Sequence, residues 1–205
     1  MSPRSYLTRF LVPVTAAILC LASSPGAAQQ GTQNAAKPAT QQMPLRLTAL
    51  AVRTVEPSAS APIDITIERW TSDADAENLI NAITEGGPKK LLDAMRRLKP
   101  VGRIAGSGSV GFEVRYARLE QTSQGRQHIT LATDRVMSFW EASNTPRSSD
   151  YPYTFVEIQL DSAGQGSGTV AVAAKIVMDR VNKTLVLENY ETQPVKLQAV
   201  KRQGR

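Results

Sequence analysis

Residues 128–161 read HITLATDRVMSFWEASNTPRSSDYPYTFVEIQLD, and the alternation at the two ends of this stretch decides the fold. Ile129 and Leu131 alternate with Thr130, and Val156, Ile158 and Leu160 alternate with Glu157 and Gln159. A period of two is the mark of a strand with one face buried. A polar connection containing Asn144, Pro146, Arg147 and Asp150 lies between the two runs. The stretch also holds the only histidine of the chain, one of its two tryptophans, and its densest mixture of charged and aromatic side chains.

Strand signals of the same kind recur on both sides. From residue 101 onward they fall at 101–105, 111–119, 128–133, 136–141, 153–161, 169–179, 184–190 and 195–201. Turn signals separate most of them: Gln124-Gly125, the glycine-rich 164–168, Asn182-Lys183 and Gln193-Pro194. The segment 161–167 reads as a hairpin connection. This spacing predicts an antiparallel meander. A sheet of so many strands curls into a partial barrel or splits in two.

Helical periodicity is confined to residues upstream of 101. Ser72 with Asp75 three residues on resembles a capping box. Ala76, Leu79, Ile80 and Ile83 follow at helical spacing until Gly86-Gly87. Pro88 suits the first turn of a second helix, whose apolar stripe is Leu91, Leu92, Met95 and Leu98, and Pro100 ends it. Its basic residues Lys89, Lys90, Arg96, Arg97 and Lys99 read as a solvated face rather than as a site for an anionic partner. Before the helices, Leu45, Leu47, Ala49 and Ala51 form one alternating run, and Ile63, Ile65 and Ile67 another. A loop containing Pro57 and Pro62 separates them. The fold class is therefore α+β: two edge strands, a helical hairpin inserted after the second strand, and a long meander.

The first residues set an address. Arg4 and Arg9 precede an apolar run at 10–22, and Gly26-Ala27-Ala28 offers small residues for cleavage after Ala28. That is the pattern of a signal peptide at 1–28, since the run is short for a membrane span. Cys20, the only cysteine, falls inside this run, so the exported chain has none. Cysteine nucleophiles and thiolate metal sites are thereby excluded. Residues 29–44, rich in Gln, Ala and Thr, read as a flexible leader. A single domain follows at 45–201, then a tail at 202–205. Setting aside Arg4 and Arg9 leaves 22 basic residues against 18 acidic ones. A mild excess of this kind favours solubility and attraction to anionic surfaces. The scattered cations lack the stripe with stacking aromatics that nucleic acid would want, so no nucleic-acid partner is expected.

Other features point to chemistry less than their spelling suggests. The G-x-G-x-x-G match at 106–111 is followed by GFEVRYARLE, a strand pattern, whereas a dinucleotide fingerprint must open a helix. A lone His128 provides no multi-histidine metal site and reads as a surface or strand-pairing residue. Neither a cofactor nor a metal is expected. The carboxylates Asp134, Glu141 and Asp150 could flank a glycosidic bond as a catalytic pair. Arg135 and Arg147, close to them in sequence, equally suit carboxylate-pinning ion pairs. Trp140, Tyr151 and Tyr153, with those two arginines, are the candidate binding surface, whereas Trp70 and Phe155 read as core lids.

The segments IDITIERW (63–70), HITLATDR (128–135), FWEA (139–142), DYPYTFVEIQLD (150–161) and LENYETQPVKL (187–197) together resemble a family of uncharacterised exported bacterial proteins. The resemblance spans about residues 45–201 and implies a bacterial exported protein with a single domain. It carries no activity, ligand or catalytic residue with it. The expectation is a non-catalytic protein of the periplasm or cell exterior. It would bind a ligand or envelope partner around 134–153 and have no transmembrane segment in its mature chain. A hydrolase of envelope or extracellular glycans and a structural envelope component are the alternatives.

Overall fold

A computed structural model describes residues 43–54, 58–106, 109–122, 124–137, 153–172, 174–179, 181–182, 184–190 and 194–204. They form β1 (Leu45–Arg53), β2 (Ala59–Ile67), α1 (Asp73–Arg97), β3 (Gly102–Gly106), β4 (Phe112–Gln121), β5 (Gln127–Thr133), β6 (Thr154–Leu160), β7 (Gln165–Val172), β8 (Ala174–Asp179), β9 (Thr184–Tyr190) and β10 (Val195–Arg202). Eight of the strands close into an antiparallel barrel in the order β1-β10-β7-β6-β5-β4-β3-β2, and β8 pairs with β9 in a separate hairpin. The meander of the sequence is thus the barrel wall. β1 is not an edge: it pairs with β2 on one side and β10 on the other, and that last pairing closes the barrel.

Other boundaries differ from the sequence reading. Pro62 lies inside β2, not in a loop. β3 reaches only as far as Ile63, so Pro62 sits where a missing N–H removes no bond to β3. The glycines read as a turn belong to β7, which starts at Gln165. A Cβ on Gly166 would lie 1.8 Å from the Gln159 carbonyl oxygen, and one on Gly168 would lie 2.3 Å from that of Glu157. Only glycine lets the β6 and β7 backbones approach so closely. The run at 169–179 is not one strand but two, β7 in the barrel and β8 in the hairpin. Of the strand expected at 136–141, Val136 and Met137 lie outside any strand, and the rest is outside the described residues.

The helical insertion comes where the sequence places it. Ser72 Oγ accepts the Asp75 N–H at 3.1 Å, capping α1, and Leu98 closes it with a bond to Met95 O. Gly87, at φ 63°, interrupts the helical backbone just before Pro88 and divides α1 into two segments. The two helical segments read from the sequence are thus the two parts of α1, divided at Gly87.

Two cores result. Inward residues of the strands, among them Leu47, Ile63, Ile65, Ile67, Ile104, Val114, Ile129, Leu131, Val156, Ile158, Val170 and Val200, form one aliphatic cluster that fills the barrel. Trp70 packs against its edge. The second core lies outside the wall. There Leu79, Leu91 and Met95 of α1 and Ile176 and Leu185 of the hairpin cover Tyr116, Ala132, Phe155 and Ala171. Burying each of these large apolar side chains contributes about 1.5–3 kcal/mol. A register shift between Val114 and Tyr116 turns Tyr116 outward while Ala117 still faces in. Among the described residues, this second core covers β4, β5, β6 and β7 and includes no residue of β10, β1, β2 or β3.

Candidate functional site

Below the covered aromatic row, the outer face of β4, β5 and β6 turns polar. Leu119, Ile129, Ile158 and Leu160 point into the barrel, so the pleat sends Glu120, His128 and Gln159 outward. Register places these three side by side: Glu120 opposite His128, and His128 opposite Gln159. His128 Nδ1 lies 3.8 Å from Glu120 Oε2, an ion pair when the imidazole is protonated and too long for a hydrogen bond. One strand position higher, Arg118 turns to the helix, bonding Asp73 Oδ1 at 2.7 Å and Thr71 O at 3.4 Å.

Two turns frame this row. The β4–β5 turn is closed by Thr122 N–H to Arg126 O (2.9 Å) and Gly125 N–H to Thr122 O (3.0 Å), and it presents Arg126. The β8–β9 turn brings in Asn182. Asp179 Oδ1 accepts the Val181 N–H at 2.8 Å and the Asn182 N–H at 3.3 Å, while Oδ2 accepts the Asn182 side-chain amide at 2.8 Å. Those three donors, the side-chain amide foremost, hold the Asp179 carboxyl below the usual carboxylate range. Arg202 from the end of β10 reaches Gln127 Oε1 at 2.6 Å. Together Glu120, Arg126, Gln127, His128, Gln159 and Asn182 line an open cleft of about 570 Å³.

The cleft offers a carboxylate, a guanidinium, an imidazole and several carboxamides, a set that pairs with charged and hydrogen-bonding groups rather than apolar ones. Among the described residues no three carboxylate or imidazole groups converge as a metal would need. His128 is a strand-pairing histidine, as its sequence context suggests. What the sequence does not display is the cleft itself, because Gln159 and Asn182 reach it through long-range pairing. The one local signal was the Gln124-Gly125 turn, which sets Glu120 across from His128.

The residues singled out from sequence lie at the other end of β5. Asp134 is buried, and its Oδ2 accepts from Arg115 Nε at 3.3 Å. The same guanidinium donates to Leu98 O at 2.8 Å and to Glu113 Oε2 at 2.6 Å. Arg115 thereby ties the end of α1 to β4 and to the residue following β5. Arg135, the partner expected from sequence, is mostly exposed, with Nε 3.9 Å from Asp134 Oδ1. The structural pairing weighed for Asp134 is present, but Arg115 makes the closer contact. Thr133 and Thr154 hold the same turn: Thr133 Oγ1 donates to Arg135 O at 2.6 Å, and Thr154 Oγ1 accepts the Met137 N–H at 2.7 Å. Tyr153, expected on a binding surface, is instead sealed in the outer core, its hydroxyl donating to Pro88 O. Burial pushes its phenol pKa up. Trp140, Glu141, Arg147, Asp150 and Tyr151 lie outside the described residues.

The 106–111 segment joins two strands, β3 and β4, with Ser109 N–H bonded to Gly106 O at 3.0 Å, so it opens no helix and makes no dinucleotide cradle. No described helix is long and apolar enough to cross a membrane. In comparisons with known proteins, no family model, no curated protein and no solved structure matches the chain.

Proposed function

We propose that the chain is an exported, non-catalytic binding protein that holds a polar ligand on the outside of its barrel, in the cleft beside His128. The observation that carries this reading is the packed interior. An eight-stranded barrel that carries its ligand inside keeps a cavity there. Here the inward side chains of Leu47, Ile65, Ile104, Leu131, Val156 and their neighbours are buried and pack together as one aliphatic cluster. Binding then belongs on the outer surface, and the His128 row is a concave polar place on it. Export rests on the charged, apolar and small-residue pattern of residues 4–28.

The cleft chemistry fits a zwitterionic ligand with amide groups, such as a short peptide. Arg126 suits a carboxylate, Glu120 an ammonium, and Gln127, Gln159 and Asn182 the amides between them. Thermal denaturation of the protein with a panel of di- and tripeptides and amino sugars tests the reading. A peptide that binds raises the melting temperature, and His128→Ala and Glu120→Gln each abolish the rise. A rise that survives both substitutions overturns the assignment.

A further inference from the structure

The two halves of the barrel wall differ in charge. Strands β10, β1, β2 and β3 carry six basic residues and one acidic residue, Asp64. Strands β4 to β7 carry two basic residues, Arg115 and Arg118, and three acidic ones, Glu113, Glu120 and Glu157. The helix does not add to the excess, since α1 has four cations against five carboxylates. Of those six, Arg202 turns to Gln127 and Arg53 is half-buried, which leaves Arg46, Arg103, Lys196 and Lys201 against Asp64 on the half of the wall outside the second core.

Register shows how that face is laid out. Arg46 and Arg103 stand on either side of Thr66 in one cross-strand row. Lys201 stands opposite Thr48 in the next. Leu50, a large apolar side chain left 37 % exposed, sits between Gln198 and the exposed Pro62. Lys196 lies beyond it, opposite Val52. Arg46, Arg103, Lys196 and Lys201 are all exposed, and none is in an ion pair among the described residues. Asp64, also exposed, stands opposite Thr48 in the row of Lys201, so the face combines a small apolar patch at Leu50 and Pro62 with four cations and one carboxylate. Apart from Leu50, Pro62 and Ala199 its exposed residues are polar, and its inward ones are aliphatic, the reverse of a barrel wall that faces lipid chains. Contact with a membrane would be with headgroups.

We infer that this bare face docks the protein on an anionic phospholipid surface. Several features select that occupant. The outside of a closed barrel is convex, so it suits an array of anions that can move laterally to meet each cation. The long lysine and arginine side chains can reach headgroups while Leu50 meets the interface. None of the four strands contains an aromatic residue, which removes the stacking platform that a single-stranded nucleic acid would use. The His128 cleft lies on the opposite, covered half of the wall and stays open to solvent when the bare face is down.

Co-sedimentation of the full chain with phosphatidylcholine vesicles, with and without about 30 % phosphatidylglycerol, tests this. The apolar segment at 10–22 is common to every variant, so the readout is the increment that phosphatidylglycerol adds. The triple substitution Arg46→Glu, Arg103→Glu, Lys201→Glu should lower that increment by at least about 100-fold, given about fivefold per cation removed. The triple Lys89→Glu, Arg96→Glu, Arg97→Glu makes the same change of net charge on α1 and should leave most of it. Raising the salt to about 1 M, where screening acts over about 3 Å, should abolish it. Equal loss in the two triples would make it an effect of net charge alone and overturn the assignment. So would the absence of any increment, including a chain that is retained by polyaspartate but ignores the vesicles, which would assign the face to an acidic polypeptide.

Discussion

The Tyr116 hydroxyl on β4 lies 2.9 Å from Oγ1 of Thr184 on β9, 68 residues away in sequence, and accepts the Leu185 N–H at 3.2 Å. This buried contact fastens the β8–β9 hairpin to the barrel wall. A two-stranded hairpin is marginal alone, so its position over the wall depends on this anchor and on Ile176 and Leu185. Tyr116→Phe keeps the ring and strands the Leu185 N–H. It should lower stability by about 1–3 kcal/mol, read as a lower urea midpoint at unchanged slope.

Arg115 and Asp134 make the second anchor. Arg115→Met leaves the Asp134 carboxylate buried without its guanidinium and should destabilise the fold by about 3–5 kcal/mol. Adding Asp134→Leu should recover much of that loss, because the uncompensated charge goes too. Urea unfolding of the single and double variants measures both. If Arg115→Met costs no more than Arg103→Met on the exposed face, Asp134 is not held as described.

The close approach of β6 and β7 makes a third prediction. Gly168→Ala places a methyl against the Glu157 carbonyl and Gly166→Ala places one against that of Gln159. Each should cost about 3 kcal/mol or more, at the upper end of overpacking effects. Gly125→Ala meets no atom within 4 Å and bears only its φ of +74°. It should cost about 1–2 kcal/mol. Melting curves of the three variants rank them.

Stability should fall at both extremes of pH, for opposite reasons. The Asp179 carboxyl titrates lower in the fold than its ordinary 3.8. Its contribution to the β8–β9 turn is complete above that value and is lost as pH falls through the lower, folded one. The protection of the Val181 and Asn182 amides, relative to their intrinsic exchange rates, should therefore fall below about pH 4, and Asp179→Ala should remove the step. The Tyr116 phenol titrates above its ordinary 10.0, chiefly because burial disfavours the phenolate, and Tyr153 shifts the same way. Their contribution is complete below 10.0 and is lost as pH rises beyond it. Alkaline unfolding should begin above about pH 10 and weaken in Tyr116→Phe.

The sequence displays whatever depends on neighbours in the chain. The alternation at Ile63, Ile65 and Ile67 predicts β2, Ser72 with Asp75 predicts the start of α1, and the glycine pair at 86–87 marks the break. Long-range pairing is silent by comparison. Nothing near Leu50 states that it will face Gln198, so the closure of the barrel through β1 and β10 could not be read. The run at 169–179 alternates throughout, yet it passes from the wall to the hairpin, and alternation cannot tell one sheet from another. The site was legible in part. Asp134 was singled out, but its main partner lies 19 residues earlier, in a register shift that no motif announces. His128 reads as a strand residue, while the cleft around it needs Gln159 and Asn182 from distant strands and turns.

The measurement that tests the central claim most directly is a titration of the isotopically labelled protein with short peptides, followed by amide and methyl nuclear magnetic resonance. The account predicts shifts clustered at Glu120, Arg126, His128, Gln159 and Asn182, with the methyls of Leu131, Val156 and Ile158 unmoved. Shifts that instead spread through those interior methyls, or that gather at Asp134 and Arg135, would contradict a binding site on the outer face beside His128.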